Sequence, residues 1–370
     1  MKYKVPFINY SLHYQNLKKE FQKTIHRVLL KGDLILRKDV EEFEKKLANF
    51  LGAKYAVGVN SGTDALIFSL RAAEIGPDDE VITVSHTFIA SIAAIYHVRA
   101  KPILIDIKED FLMNIEELEE VITKKTKAIL PVHLNGRVCQ MDKILKIARK
   151  YNLFIIEDAA QALGAEFKGK KAGSFGQTGC FSFYPAKILG GYGDGGAVVT
   201  NDRKIFEKIR LLRDHGQKTK TKIVLFGYNS RLDNLQAAIL NVKFEYLKKW
   251  IKRRREIAKI YIEGLIDFPE IILPPAPDSD LSHFDIYQNY VIRAEKRNKL
   301  REFLTKKGVE TLVKDPIPNH LQDGLGLEKF HLPNTEKFAK EIISLPIYPE
   351  LKNWQLKYVI DCIHKFYSKR

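Results

Sequence analysis

Short apolar runs alternate with stretches of helical period from about Tyr55 to Thr200. "YAVGV" (55–59), "EVITV" (80–84), "KPILIDI" (101–107), "TKAILPV" (126–132) and "LFIIED" (153–158) each read as a buried strand. Between them the pattern predicts a helix opening near Thr63, an apolar helix from about Ala90, and a third at "MDKILKIARKYN". "GCFSFY" (179–184) and "GAVVT" (196–200) add two more strands. Strands alternating with helices imply right-handed crossovers, and so an α/β fold with a large, doubly wound, mostly parallel sheet.

Beyond this region the pattern changes. Leu235, Ile239, Val242, Tyr246, Trp250 and Ile257 form an apolar stripe that predicts one long helix from about Asp233 to Leu265. "FPEIILPPAP" (268–277) is a proline-marked connection, followed by a strand at "YQNYVIRA" (287–294), a helix at "RNKLREFLTKKG" (297–308) and a strand at "ETLVK". The expected division is a large domain at 1–244 and a smaller C-terminal α+β domain at 245–370. The N-terminal segment, residues 1–30, is expected to pack on the smaller one.

Composition narrows the class. A chain of 370 residues is long for one core, and 45% hydrophobic content excludes a disordered chain. No apolar run reaches the length of a membrane span, and the N-terminus lacks the pattern of a signal peptide. Cys139, Cys180 and Cys362 are scattered, without metal-ligand spacing, and read as free thiols of a cytoplasmic protein that holds no metal.

The net charge of +16 fits an acidic substrate, a nucleic acid or a generally lysine-rich surface. The densest basic run, "KKWIKRRR" (248–255), falls within the long helical pattern and reads as its solvated side. No recognisable nucleic-acid module accompanies it, so no nucleic-acid partner is expected.

Candidate chemistry gathers at the predicted strand ends, where ligands bind in open α/β sheets. "VNSGTDAL" sets Gly62 and Thr63 at a helix start, either an ordinary cap or an anion site. "HTFIAS" offers Phe88, a core residue or a stacking face. "FIIEDAAQALGA" ends its strand on Glu157 and Asp158; one of them caps the next helix or meets a cation. "FSFYPAKILGGYGDGG" (181–196) sets Lys187 ahead of a glycine-dense turn. Phosphate cradle, ring platform, strand-end aspartate and glycine-flanked lysine together specify pyridoxal phosphate. The lysine bonds the cofactor, and the aspartate keeps the ring nitrogen protonated.

At these residues the chain resembles the pyridoxal-phosphate sugar aminotransferases of the DegT type. The matching stretches run in family order over almost the whole chain: "SGTDAL", "HTFIA", "PVHLNG", "EDAAQALGA", "FSFYPAKILGGYGDGGAVVTND", "RDHGQ", "GYNSRLDNLQAAIL", "PIPNHLQ" and "SLPIYPEL". The resemblance implies the aspartate-aminotransferase fold and a homodimer with active sites shared across the interface. It assigns Lys187 to the cofactor bond and proton transfer, and Asp158 to the pyridine nitrogen. Gln161 would lie against the ring hydroxyl, Phe88 would stack on the ring, and Gly62, Thr63 and Ser182 would bind the phosphate, joined by Asn229 from the partner subunit.

The implied substrates are a nucleotide-linked keto sugar, a 3- or 4-keto-6-deoxyhexose, and glutamate as amino donor. Arg231 is a candidate for a substrate carboxylate, unless it pairs with Asp233 nearby; His320 is a candidate substrate contact, ahead of His215. Related dehydratases carry histidine in place of the lysine, so Lys187 favours transamination over a sugar dehydratase. An amino-acid transaminase and a non-catalytic nucleic-acid-binding or regulatory protein are the competing functions. Asn135, the "RVCQMD" stretch and Val313–Asp315 depart from the family pattern in segments expected to face the sugar, and leave its identity open.

Overall fold

The computed structural model describes residues 3–368; residues 1, 2, 369 and 370, at the outer ends of the two expected domains, lie outside it. Five strands follow one another through the predicted apolar runs: β1 (Tyr55–Val59), β2 (Glu80–Val84), β3 (Lys101–Ile105), β4 (Thr126–Ile129) and β5 (Phe154–Asp158). A small hairpin of β6 (Glu166–Phe167) and β7 (Lys170–Lys171) precedes β8 (Thr178–Ser182) and β9 (Gly196–Thr200). The main sheet has the order β1-β9-β8-β5-β4-β2-β3. Only β9 runs antiparallel to its neighbours, β1 and β8; the other pairings are parallel.

Near-continuous burial along these strands explains their unbroken apolar character, because helices cover both faces of such a sheet. The helices of this part are α1 (Tyr10–Asn16), α2 (Lys18–Lys31), α3 (Lys38–Leu51), α4 (Gly62–Ala72), α5 (Ala90–His97), α6 (Met141–Tyr151), α7 (Arg203–Arg213) and α8 (Asn234–Phe244). In α6 the buried positions Met141, Ile144 and Ala148 keep helical spacing, and Asn152 ends the helix in the left-handed region at φ 52°. A short exposed hairpin, β10 (Gln217–Thr219) with β11 (Lys222–Ile223), follows α7.

The long helix expected from Asp233 to Leu265 is two helices, α8 and α9 (Leu247–Leu265). The break falls where the Tyr246 N–H bonds the Lys243 carbonyl, three residues back, which tightens the turn and ends the α ladder. The basic run on α9 is also only partly solvated. Arg254 is buried and donates to the carbonyls of Tyr287 and Gln288, while Arg253 and Arg255 donate to those of Leu351 and Asp285.

The C-terminal part builds its own antiparallel sheet from β12 (Ile271–Ile272), β14 (Tyr290–Ala294) and β15 (Ile342–Leu345), in the order β12-β14-β15. Between them β13 (His283–Phe284) reaches back to pair with β6. The helices here are α10 (Arg297–Lys306), α11 (Pro333–Glu341) and α12 (Asn353–Tyr367). "ETLVK" makes only a single bridge, Leu312 with Ser344, because Asp315 turns to φ 47° and the prolines after it end any ladder. Val5 bridges Val309 and the Phe7 N–H bonds Glu310, so the first residues join this part. The helices α1 and α2 bridge both parts, with His13 of α1 lying 2.8 Å from Glu350. Leu17 and Phe21 pack on Ile239 of α8 and on Trp250 of α9.

One buried carboxylate ties α11 to the main sheet. Asp106, just after β3, accepts from the N–H groups of Asn334 and Thr335 and from the Thr335 hydroxyl at 2.7–2.9 Å. It acts as a cap borrowed from across the chain, satisfying first-turn donors that the helix cannot. Asp106→Ala should therefore destabilise the protein by about 3 kcal/mol through several unpaired buried donors. Urea unfolding reads that loss, and hydrogen exchange should show lost protection in the first turn of α11 ahead of the main sheet.

Candidate active site

Strands β1, β2, β5 and β8 point the same way, so the segments leaving them meet at one edge of the sheet. A cavity of about 700 Å³ opens there, between that edge and the C-terminal part. Gly62, Thr63, Phe88, Asp158, Gln161, Ser182 and Lys187 all line it.

The chain leaves β1 through Asn60 and Ser61 and enters α4 at Gly62. The Ser61 hydroxyl caps the helix by accepting from the Asp64 N–H at 3.0 Å. A Cβ on Gly62 would stand 2.8 Å from the Ser182 Cβ, so glycine allows the helix start to close against the end of β8. The result is a small concave corner of backbone N–H groups, a serine hydroxyl and the positive end of a helix, which suits a phosphate. Ser230 braces it from behind, accepting from the Asn60 N–H at 3.1 Å and donating to Asp64 at 2.7 Å.

The two carboxylates ending β5 divide their work. Glu157 faces away from the cavity and is fully buried. It accepts from the N–H groups of Gly173, Phe175 and Gly176 at 2.6–2.7 Å, and His133 Nε2 lies 2.9 Å away. The Cys139 N–H donates to His133 Nδ1, so the ring proton sits on Nε2 and is given to Glu157. Asp158 faces the cavity. Its Oδ2 accepts from the Ser91 hydroxyl at 2.7 Å, and Thr87 Oγ1 lies 2.8 Å from Ser91 Oγ, a short relay that fixes the carboxylate plane. Its Oδ1 also accepts from the Ala160 N–H, so Asp158 caps its own turn while facing the cavity.

Lys187 sits on the loop between β8 and β9. Its own N–H bonds the Tyr184 carbonyl at 2.8 Å, and its neighbours are gripped by Gln288, which bonds both the Ile188 N–H and the Ala186 carbonyl. Farther along, Gln236 brackets Tyr192 and Lys243 donates to the Gly190 carbonyl. Burial lowers the proton affinity of the Lys187 amine, and the charge of Asp158 opposes that shift. Phe88 is 62% exposed on the cavity, so it is a platform and not a core residue.

Four candidate residues lie outside this cavity, and for one of them, Asn229, the expected place is the partner subunit's site. His320 is fully buried, bonded to Ser85 at 2.8 Å and near Glu336; with Asn319, which donates to the carbonyls of Ser85 and Thr87, it holds the loop that presents Phe88. Arg231 pairs with Asp214 at 2.9 Å and not with Asp233. Asn229 is exposed and bridges Asp214, next to the Ser230 brace. His215 is also exposed, with its backbone at φ 55°.

Lys314, in the segment expected to face the sugar, lines the cavity, and so do Gln288, Asn289 and Arg254, to which the sequence pattern does not point. "YQNYVIRA" reads as strand throughout, yet β14 begins only at Tyr290; a polar pair ahead of an apolar run was the available signal. Burial first, and then the neighbouring charge of Lys187, pulls the Lys314 ammonium down to about 8.

This chain belongs to the DegT/DnrJ/EryC1/StrS aminotransferase family, whose model matches residues 15–364. It is 41% identical over 368 residues to a dTDP-3-amino-3,4,6-trideoxy-alpha-D-glucose transaminase of Streptomyces venezuelae, covering 98% of this chain and 96% of that one. It is 42% identical over 368 residues to a "pleiotropic regulatory protein" of Geobacillus stearothermophilus, covering 98% of each. Its fold matches that of S. venezuelae DesV, solved in complex with a ketimine intermediate, with a TM-score of 0.95 and 39% identity over the whole of both chains. The fold is that of these aminotransferases, as the mostly parallel sheet implied.

The division between Glu157 and Asp158 can be measured. Glu157→Ala removes the acceptor of three backbone donors and a histidine, and should cost about 3–5 kcal/mol of stability. Denaturant titration should show a correspondingly lower midpoint. A midpoint unchanged within about 1 kcal/mol would mean that Glu157 is not the structural member of the pair.

Proposed function

We propose that this chain transfers an amino group from glutamate to a nucleoside-diphosphate-linked keto sugar, a 3- or 4-keto-6-deoxyhexose, with pyridoxal phosphate held in the cavity. The observation that carries this reading is the meeting of Lys187, Asp158, Ser182 and the Gly62–Thr63 helix start, from three separate strand ends, in one cavity. Those residues fit the group. The corner at Gly62, shaped by the close approach of Ser182, takes a phosphate; Phe88 offers a flat face; Asp158 offers a carboxylate to a ring nitrogen.

When bound, pyridoxal phosphate supplies an electron sink through which an amino group can pass between donor and acceptor carbons. The residues of this chain do the rest. Lys187, with its amine kept reactive by burial, would bond the cofactor and would move the proton at the carbon that exchanges the amino group. Asp158, oriented by Ser91, holds a proton on the ring nitrogen, and Gln161 faces the ring hydroxyl. Gly62, Thr63 and Ser182 hold the phosphate, and Phe88 covers one face of the ring and excludes water from it.

In this reading residues 1–244 form the cofactor-binding domain, and residues 245–370 form the smaller domain that closes the cavity. The enzyme acts in the cytoplasm as a homodimer. A regulatory role, which the name of one relative suggests, draws no support from a site whose cofactor-bonding lysine and strand-end aspartate are both intact.

Protein loaded with pyridoxal phosphate and reduced with borohydride should carry one pyridoxyl group, located on Lys187 by peptide mass spectrometry. A label elsewhere, or none, would overturn the assignment of the lysine.

The dimer is tested by subunit mixing. Lys187→Ala removes the cofactor bond, and Asn229→Asp sets a negative charge against the phosphate in the neighbouring subunit. Each homodimer should be severely impaired. Co-refolding should give hybrids as roughly half of all dimers, and one site of each hybrid then receives an intact Lys187 and an intact Asn229. Activity should return to roughly a quarter of wild type. No recovery, with hybrids verified by differential tags, would refute the shared site.

A further inference from the structure

Asn135 and Lys314 both depart from the family pattern, and the fold joins them through one amide. Asn289 Nδ2 donates to Asn135 Oδ1 at 3.0 Å and to Gln161 Oε1 at 2.9 Å. With its nitrogen committed to these two oxygens, Asn289 turns its own oxygen to Lys314, whose Nζ donates to it at 2.9 Å. Gln161 is fixed in turn, because the same Oε1 accepts from the Asn135 N–H at 3.0 Å. A second lysine is thereby held on the Gln161 flank of the cavity, close enough to Lys187 for their charges to repel.

The ammonium is poorly matched where it stands. Among the described residues, Lys314 has a neutral amide oxygen as its hydrogen-bond partner and forms no ion pair, although Asp315 beside it in sequence is near enough for its charge to act on it. An ammonium has three donors, and one is committed to Asn289. Of the nearby charges, Lys187 and Arg254 raise the cost of holding the ammonium there, and Asp315, without an ion pair to it, offsets only part of that cost. A charge drawn partly out of water is stable when an anion meets it.

We propose that Lys314 is a specificity-determining residue whose ammonium binds a carboxylate of the substrate, close to the carbon that exchanges the amino group. This rests on the aminotransferase reading above. A carboxylate is favoured over the sugar nucleotide's diphosphate by the proximity of Lys187. An amino acid carries its carboxylate one bond from the reacting carbon, and an acid sugar can carry one within a few bonds. The diphosphate hangs from the far side of the sugar ring. The carboxylate can thus belong to the amino donor or, if the sugar is an acid sugar in place of the 6-deoxyhexose, to the acceptor, and the same lysine chemistry serves both.

The test uses the holoenzyme and three variants. Lys314→Met and Lys314→Gln remove the charge, the second keeping a donor for Asn289, and Lys314→Arg restores a cation. The donor half-reaction with glutamate is followed by cofactor absorbance. The acceptor half-reaction is run with a neutral keto-sugar nucleotide and with its keto-uronate counterpart. Loss of a charged hydrogen bond predicts a KM raised roughly 10- to 100-fold for the carboxylate carrier, with a smaller change in kcat and recovery in Lys314→Arg.

A rise for glutamate assigns the carboxylate to the donor; a rise for the keto-uronate alone assigns it to the sugar. KM values within about threefold of wild type for both carriers would overturn the proposal. So would a loss that appears equally for the nucleoside diphosphate alone. A correctly labelled Lys187 with unchanged KM values would remove only this carboxylate site, whereas an unlabelled Lys187 would remove the enzymatic reading beneath it.

Discussion

Gln288 accepts from the Ile188 N–H at 2.8 Å and donates to the Ala186 carbonyl at 3.0 Å, gripping the chain on both sides of Lys187. The site depends on this arrangement because a reactive amine cannot be held by a strong partner of its own. A carboxylate bonded to Lys187 would raise its proton affinity and keep it charged. The fold therefore fixes the backbone and leaves the amine to the cavity. Gln236 and Lys243 extend the same device along the loop, each using a side chain to satisfy main-chain groups that no helix or strand would satisfy.

The two carboxylates at the end of β5 show how neighbouring identical charges are given different fates. Glu157 turns into the protein and meets backbone donors and His133, which makes it part of the scaffold. Asp158 turns outward and is held by a hydroxyl relay instead. Hydroxyl donors orient a carboxylate without cancelling its charge, so the charge remains available to the cavity. The alternation of side chains along a strand is enough to separate the roles.

Much of this was legible in the sequence because it rests on period and spacing. Buried parallel strands must be apolar along their length, and the segments that leave them must carry the polar chemistry, so the lining residues from Gly62 to Lys187 could be found in order. What escaped was set by contacts across the chain. The break near Tyr246 leaves the apolar stripe intact and is invisible to it. Arg254 looks like any surface arginine until the carbonyls of Tyr287 and Gln288 are placed against it. His320 sits in a matching motif, yet its work is to hold Ser85 from beneath. Lys314 stands out as a departure, but Asn289 acquires meaning only through its bonds to Lys314 and Gln161.

The phosphate corner and the lysine loop are in effect one body. Ser182 ends β8, and the chain passes through Lys187 before returning as β9, which begins at Gly196. A Cβ on Gly196 would come within 2.2 Å of the Ser61 carbonyl oxygen, and one on Gly62 would crowd Ser182. Backbone thus meets backbone at Gly196, and at Gly62 it meets the Cβ of Ser182. With no glycine side chain to act as a spacer, the distance from this corner to the lysine is set mainly by peptide geometry, which is far stiffer than side-chain packing. In the proposed function, a ligand held at one end by its phosphate and at the other by a covalent bond would require that stiffness, since its own length is fixed. The two glycines serve the site by keeping its two ends at a constant separation, and neither needs to touch the ligand to do so.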